Sequence, residues 1–151
     1  MVHDQQAAAV DLIARIYTDF TADVARYLQR WGLTPAQFEI MRCLARSVQE
    51  PLRLTDVANG TSLSNSGVTR AVDSLVRRGL VLRVTCPSDR RSSPTALTKA
   101  GLDYLNRALP GYLALVDRLT QTLNTNQLTT LTEGLRAIAV ARHEDGTEAL
   151  P

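Results

Sequence analysis

The 151 residues carry a net charge of +2, and 44% of them are hydrophobic, enough for about one domain with a buried core. Aromatic residues make up only 5%, which argues against a protein that stacks single-stranded bases on exposed rings. No apolar run is long enough to cross a bilayer, and the amino terminus lacks the charged-then-apolar pattern of a leader, so a cytoplasmic protein without membrane contact is expected.

Ala7, Val10, Ile13, Tyr17, Phe20, Val24 and Leu28 recur at spacings of three and four. That period predicts a helix from about Asp4 to Gln29, ended by Trp31-Gly32. Such a helix is about 40 Å long at ~1.5 Å per residue. One small core does not cover that length, so part of the stripe is expected to meet another chain. Thr34 as cap, Pro35 in the first helical position and Gln37 reaching back predict a second helix to about Ser47, with Phe38, Met41 and Leu44 facing inward. Residues 48–53 read as a linker. Thr55 is expected to cap a short helix through Asn59, with Val57 and Ala58 inward, and Asn59-Gly60 breaks it. Ser64 then caps a helix to about Arg77, stopped by Gly79.

Leu80, Leu82 and Val84 alternate with Val81, Arg83 and Thr85, the pattern of a half-buried strand. Residues 87–93 form a turn-rich loop, and Thr95–Leu97 is the return strand. Thr98 caps a helix from Lys99 to roughly Gln121, with Leu102, Leu105, Leu109, Val116 and Leu123 on its apolar face and a kink expected at Pro110. Asn124 and Gln127 form a second capping pair. The final helix carries Leu128, Leu131, Leu135 and Ile138 on one stripe, and residues 146–151 are expected to fray. Amphipathic helices at both ends suit a symmetric dimer; packing on each other within one chain is the alternative.

The expected fold is mainly α with a small β-wing. A winged helix-turn-helix core over residues 34–98 is flanked by a helical dimerisation region over 1–33 and 99–145. Charge supports a role for the centre of the chain. Residues 52–98 hold seven basic residues (Arg53, Arg70, Arg77, Arg78, Arg83, Arg90, Arg91) against three acids (Asp56, Asp73, Asp89), a local net of +4. The whole chain is +2, so the remainder sums to −2. On a helix starting at Ser64, Val68, Val72 and Leu75 share one side. Ser66, Arg70, Asp73 and Arg77 fall on the other, with Asn65 and Thr69 on the flank. Hydroxyls, amides and guanidinium groups on one face suit base edges and phosphates. Arg90 and Arg91 lie at the tip of the wing loop, where arginine suits a minor groove. Asp89 beside them is placed to orient a guanidinium. A solvated helix face and a surface hairpin with incidental charge are the plain alternatives.

The runs LTPAQFEIMRCLA, LTDVANGTSLSNSGVTRAVDSLVRRGLV and PSDRRSSPTALTKAG resemble the MarR family of winged-helix transcriptional regulators. The resemblance covers roughly residues 31–104. Its most specific pieces are Gly67-Val68-Thr69-Arg70, Arg78-Gly79-Leu80-Val81, the Asp89-x-Arg91 wing and Leu97-Thr98-x-x-Gly101. It implies a homodimer on palindromic double-stranded DNA, with the Ser64–Arg77 helix in the major groove and the wing in the minor groove. By position, Ser64, Asn65, Ser66, Thr69 and Arg70 match the family's recognition-helix contacts. Arg91 matches its minor-groove arginine, with Asp89 as partner, and Arg90 is left for phosphate. The sequence departs from the family at Thr61-Ser62, where an apolar residue and a glycine are usual, which predicts a looser turn. It departs again at Pro94-Thr95, which predicts a short return strand.

The resemblance also implies a small-molecule effector, often phenolic or otherwise aromatic, with Arg15, Tyr17, Trp31 and Phe38 as candidate pocket residues. Cys43 lies in an apolar helix and reads as an inert core residue. Cys86 opens the wing near Arg83 and Arg90, which leaves a thiol-based redox regulator as one alternative. A winged-helix protein-interaction module is another. No cofactor is expected. No nucleophile–base–acid set, phosphate-cradling glycine loop or metal-ligand spacing is present, so no enzyme is expected either.

Overall fold

The computed structural model describes residues 1–47, 50–84 and 94–144. Residues 85–93, with Cys86, Asp89, Arg90 and Arg91, lie outside them, as does the tail 146–151. The chain divides into two compact units, residues 1–115 and 116–151.

In the first unit, α1 (Val2–Leu28) passes into a single 3-10 turn, Gln29–Trp31. Gly32 ends it at φ 58°, where the Leu33 and Gly32 amides donate back to the Leu28 and Gln29 carbonyls. Only the carboxyl end of the α1 stripe enters the core. Val24 and Leu28 are buried, whereas Val10, Ile13 and Tyr17 are exposed.

The helix α2 (Pro35–Arg46) begins as the sequence predicts. Thr34 Oγ1 accepts from the Gln37 amide at 3.2 Å, and Gln37 Oε1 accepts from the Thr34 amide at 2.9 Å. Phe38, Ile40, Met41 and Leu44 are buried in its inner face. The short helix α3 (Leu54–Asn59) starts two residues earlier than expected. Its cap is Arg53 and has no side-chain bond, so the expectation for Thr55 is corrected. α3 lies tight against α2: a Cβ added at Gly60 would come within 2.9 Å of Cys43 Sγ.

The helix α4 (Asn65–Arg77) is capped by Ser64, whose Oγ accepts from the Gly67 amide at 3.2 Å. Gly79, at φ 70°, ends it. The Leu80 amide reaches back to the Leu75 carbonyl and the Gly79 amide to Val76, so Leu75 and Leu80 are both buried at the turn. The strands β1 (Val81–Arg83) and β2 (Thr95–Leu97) pair antiparallel, with Leu82 opposite Ala96. The alternation expected of β1 does not hold. Leu82 is exposed and Val81 is buried, because Leu80 is claimed by the end of α4.

Leu52, expected in a linker, extends this sheet by bridging to Thr95. Their backbones exchange bonds of 2.9 and 2.7 Å. Thr95 is fully buried and donates its hydroxyl to the Leu52 carbonyl, as a buried polar group must find a partner.

The helix α5 (Lys99–Thr120) starts at Thr98, whose Oγ1 donates to the Gly79 carbonyl and accepts from the Gly101 amide. It runs on through Pro110. Two hydrogen bonds between residues far apart in sequence tie its first part to the end of α1 and the turn after it: the Tyr27 hydroxyl donates to the Ala108 carbonyl and the Tyr104 hydroxyl to the Trp31 carbonyl.

The second unit holds the last residues of α5 and α6 (Thr125–Glu144). Asn124 and Gln127 cap α6 reciprocally at 3.0 Å, as predicted. Leu128, Leu131, Leu135 and Ile138 are all exposed.

Candidate functional site

The helix α4 has two chemically distinct sides. Val68, Val72 and Leu75 are completely buried, and they hold the helix against α2 and α3 within one core. Ser64, Asn65, Ser66, Thr69, Arg70 and Arg77 are all exposed. Ser64 Oγ and Ser66 Oγ lie 3.2 Å apart at the amino end, and Thr69 Oγ1 donates to the Asn65 carbonyl. Both hydroxyl groups on the first turn are therefore held in place with lone pairs left to accept. Among the described residues Arg70 and Arg77 have no ion-pair partner. The positive end of the helix dipole lies at Ser64, where it adds to the attraction for anions.

Asp73, on the same polar face by helical phase, has a different task. Its carboxylate takes Arg83 Nη2 of β1 at 2.6 Å, binding α4 to the wing. A pair this exposed contributes at most about 1 kcal/mol, so its main effect is to orient Arg83. Arg78, which sequence reasoning did not select, donates to the Gly32 carbonyl at 2.9 Å and stacks on Tyr104. Its place directly before Gly79 was the available signal. The wing residues expected to act beside α4, Asp89, Arg90 and Arg91, lie outside the described residues, as does Cys86.

The turn into α4 is fastened rather than loose. Glu39 on α2 accepts from the Ser62 amide at 2.6 Å through one carboxylate oxygen and from the Ser62 hydroxyl at 2.9 Å through the other. Thr61 Oγ1 donates to the Val57 carbonyl at 2.8 Å. The two residues that depart from the family pattern thus supply side-chain bonds of their own. A second link joins the same helices: Gln37 Nε2 donates to Ser74 Oγ at 2.9 Å.

A cavity of about 620 Å³ opens in the first unit, between α1, α2, the Ser62-Leu63 turn and Tyr112 of α5. That volume is within the range of small-molecule sites. Tyr17 and Phe38, two of the candidate pocket residues, line it. Arg15 and Trp31 do not. At ~100° per residue Arg15 lies on the far side of α1 from Tyr17, so it faces away from the lining. Trp31 sits past the end of α1, edge-on to Tyr104 and beneath Arg107.

In the cavity wall Phe20 and Phe38 each make ring contact with Tyr112, with centroids 6.1 and 5.1 Å away. Arg42 stands 4.4 Å over the Tyr112 ring, and Arg46 is also part of the lining. Neither arginine has a carboxylate partner among the described residues. No group of three or more histidine, cysteine, aspartate or glutamate residues capable of holding a metal ion stands together among the described residues.

The same arrangement of helices and wing recurs in known proteins. The MarR family model matches residues 33–93. AbsC, a MarR family transcriptional regulator from Streptomyces coelicolor, is 30% identical, superimposes with a TM-score of 0.82, and the match covers 95% of this chain and 97% of that one. The chain belongs to the MarR family. Sco3205, a MarR family transcriptional regulator from the same organism solved in complex with DNA, is 29% identical with a TM-score of 0.82, over 92% of this chain and 88% of that one. The transcriptional regulator MhqR of Bacillus subtilis is 24% identical over 85% of this chain and 88% of its own length. The small antiparallel sheet of β1 and β2 beside these helices matches the winged-helix arrangement of those structures. No helix among the described residues is long and apolar enough to cross a membrane.

Proposed function

We propose that the chain is a sequence-specific double-stranded DNA-binding repressor that works as a homodimer and leaves a palindromic operator when a small aromatic ligand binds. One observation carries the DNA reading. The face of α4 opposite fully buried Val68, Val72 and Leu75 is a row of exposed hydroxyl, amide and guanidinium groups. In the major groove, Ser64, Asn65, Ser66, Thr69 and Arg70 meet base edges and phosphates, and Arg77 meets phosphate. Arg91 enters the adjacent minor groove with Asp89 orienting it, and Arg90 meets phosphate. The DNA complex of Sco3205 supports this use of the shared fold.

The dimer rests on the stripes left bare on each long terminal helix: Val10, Ile13 and Tyr17 on α1, and Leu128, Leu131, Leu135 and Ile138 on α6. Contiguous exposed apolar faces of this kind mark interfaces. The effector reading rests on the cavity. Phe20, Phe38 and Tyr112 offer ring faces, and Arg42 and Arg46 favour an acid group on the ligand.

Fluorescence anisotropy with genomic duplexes tests the DNA reading. The wild-type chain should select some fragments over others, with affinity falling steeply as salt rises. Arg70→Ala should cost about 1–3 kcal/mol on a selected duplex. Equal affinity for every fragment, or an Arg70→Ala variant of unchanged circular dichroism and full affinity, contradicts it.

A further inference from the structure

Glu39 belongs to two structures at once. It is half-buried in the cavity wall, and its carboxylate holds both donors of Ser62. Ser62 is two residues before Ser64, the cap that fixes the first turn of α4. On α2 the same helix face continues through Arg42 and Arg46, three and seven residues on. The cavity lining therefore contains one carboxylate, already engaged with the turn into α4, and two arginines without a carboxylate partner among the described residues.

From this we infer that Glu39 is the positioning residue of the switch: the Glu39–Ser62 clasp holds the entry to α4, and an anionic ligand in the cavity opens it. The inference rests on the cavity being the effector site. A ligand carboxylate drawn to Arg42 and Arg46 brings a second negative charge beside Glu39 in a confined, largely apolar space. Like charges there are costly, so the ligand's charge works against the ionised Glu39 carboxylate that holds Ser62. The bonds to Ser62 are charge-assisted and short on the amide side, so they give the clasped state a defined geometry. Once they are released, the Thr61–Leu63 turn loses its tie to α2, and the Ser64 cap is no longer held in one position relative to the rest of the core. The Gln37–Ser74 bond joins the same two helices away from the cavity, so it provides an internal control.

The departure from the family pattern at Ser62 now has a use. A glycine at that position would offer only its amide, whereas serine adds the second donor that matches both oxygens of Glu39.

The probe is benzoate, with benzyl alcohol as its uncharged counterpart. Calorimetry measures its affinity for the full chain, and hydrogen exchange follows the amides of residues 62–67. In the wild-type chain, benzoate should bind in preference to benzyl alcohol and speed exchange of that segment by roughly 5- to 150-fold, the usual span of coupling between two sites. In Ser62→Ala and Glu39→Gln the segment should exchange fast without benzoate and respond little to it. Both variants should bind benzoate more tightly than wild type, because the ligand no longer has to open the clasp. The double variant should be no further changed than either single one, as expected of residues acting as a unit. Ser74→Ala should keep the benzoate response.

Benzoate binding to wild type with no change in exchange at 62–67 overturns the clasp while leaving the cavity reading intact. So does wild-type benzoate affinity in Ser62→Ala, which alters no charge. Loss of the response in Ser74→Ala would show that any α2–α4 bond serves, and overturns the assignment to Glu39. Failure of benzoate to bind the wild-type chain overturns the cavity reading and the inference with it.

Discussion

Single residues fix the geometry of this protein at points where a backbone group needs a partner or where two backbones touch. Gly101 is the tightest: a Cβ there would fall on the Leu80 carbonyl, which is backbone and has no rotamer to give. Gly101→Ala should therefore destabilise the chain by about 1–3 kcal/mol or more, as overpacking does; an unchanged urea midpoint would contradict the close approach of α5 to the end of α4. Ser64→Ala removes the acceptor for the Gly67 amide and should cost about 0.5–2 kcal/mol in the same measurement, with a parallel loss of DNA affinity. Arg91→Ala should weaken binding by about 1–3 kcal/mol, with the loss confined to the outer edges of the footprint; an unchanged footprint at full affinity opposes the minor-groove role.

Residues of this kind divide by how local their chemistry is. Thr34, Ser64, Thr98 and Asn124 were legible because a cap acts within three residues of itself. Glu39–Ser62 and Asp73–Arg83 were not, because nothing in the spacing of 23 or ten residues marks them as partners.

At the scale of elements, α4 is held as a unit by three side chains with no exposed surface, and α2 packs against α1, α3, α4 and β2. Leu75→Ala would leave a void between α4 and α2 and should cost about 2–5 kcal/mol. A loss far below that range would mean that the helix can collapse into the gap. The helices were readable from period and caps: α2 and α4 each bury one stripe, and α1 and α6 carry an apolar stripe of the same period that is largely exposed. The sheet was read less well. Leu52 pairs with Thr95 across 43 residues, and a bridge of one residue has no periodicity to reveal it. Leu82 was misassigned for the same reason: the burial of Leu80 is set by the Gly79 turn and not by strand alternation. The cavity followed the same rule. Tyr17 and Phe38 were named as candidates through the family resemblance, whereas Arg42 needed the phase of α2 relative to Tyr112.

For the whole molecule, the dimer rests on the apolar residues exposed along α1 and along α6. Ile13→Glu combined with Leu135→Glu should convert a dimer to a monomer in sedimentation at micromolar concentration, and the monomer should lose most of its affinity for a two-half-site duplex while keeping its helical circular dichroism. A dimer that survives both charges would place the interface elsewhere. The most direct test of the central claim is selection of genomic fragments by the purified full chain, followed by sequencing of what is retained. A symmetric dimer carrying one α4 per protomer predicts an enriched palindrome with half-sites about 10 base pairs apart, one helical turn. Retained fragments with no common motif, or a motif without two-fold symmetry, would contradict it.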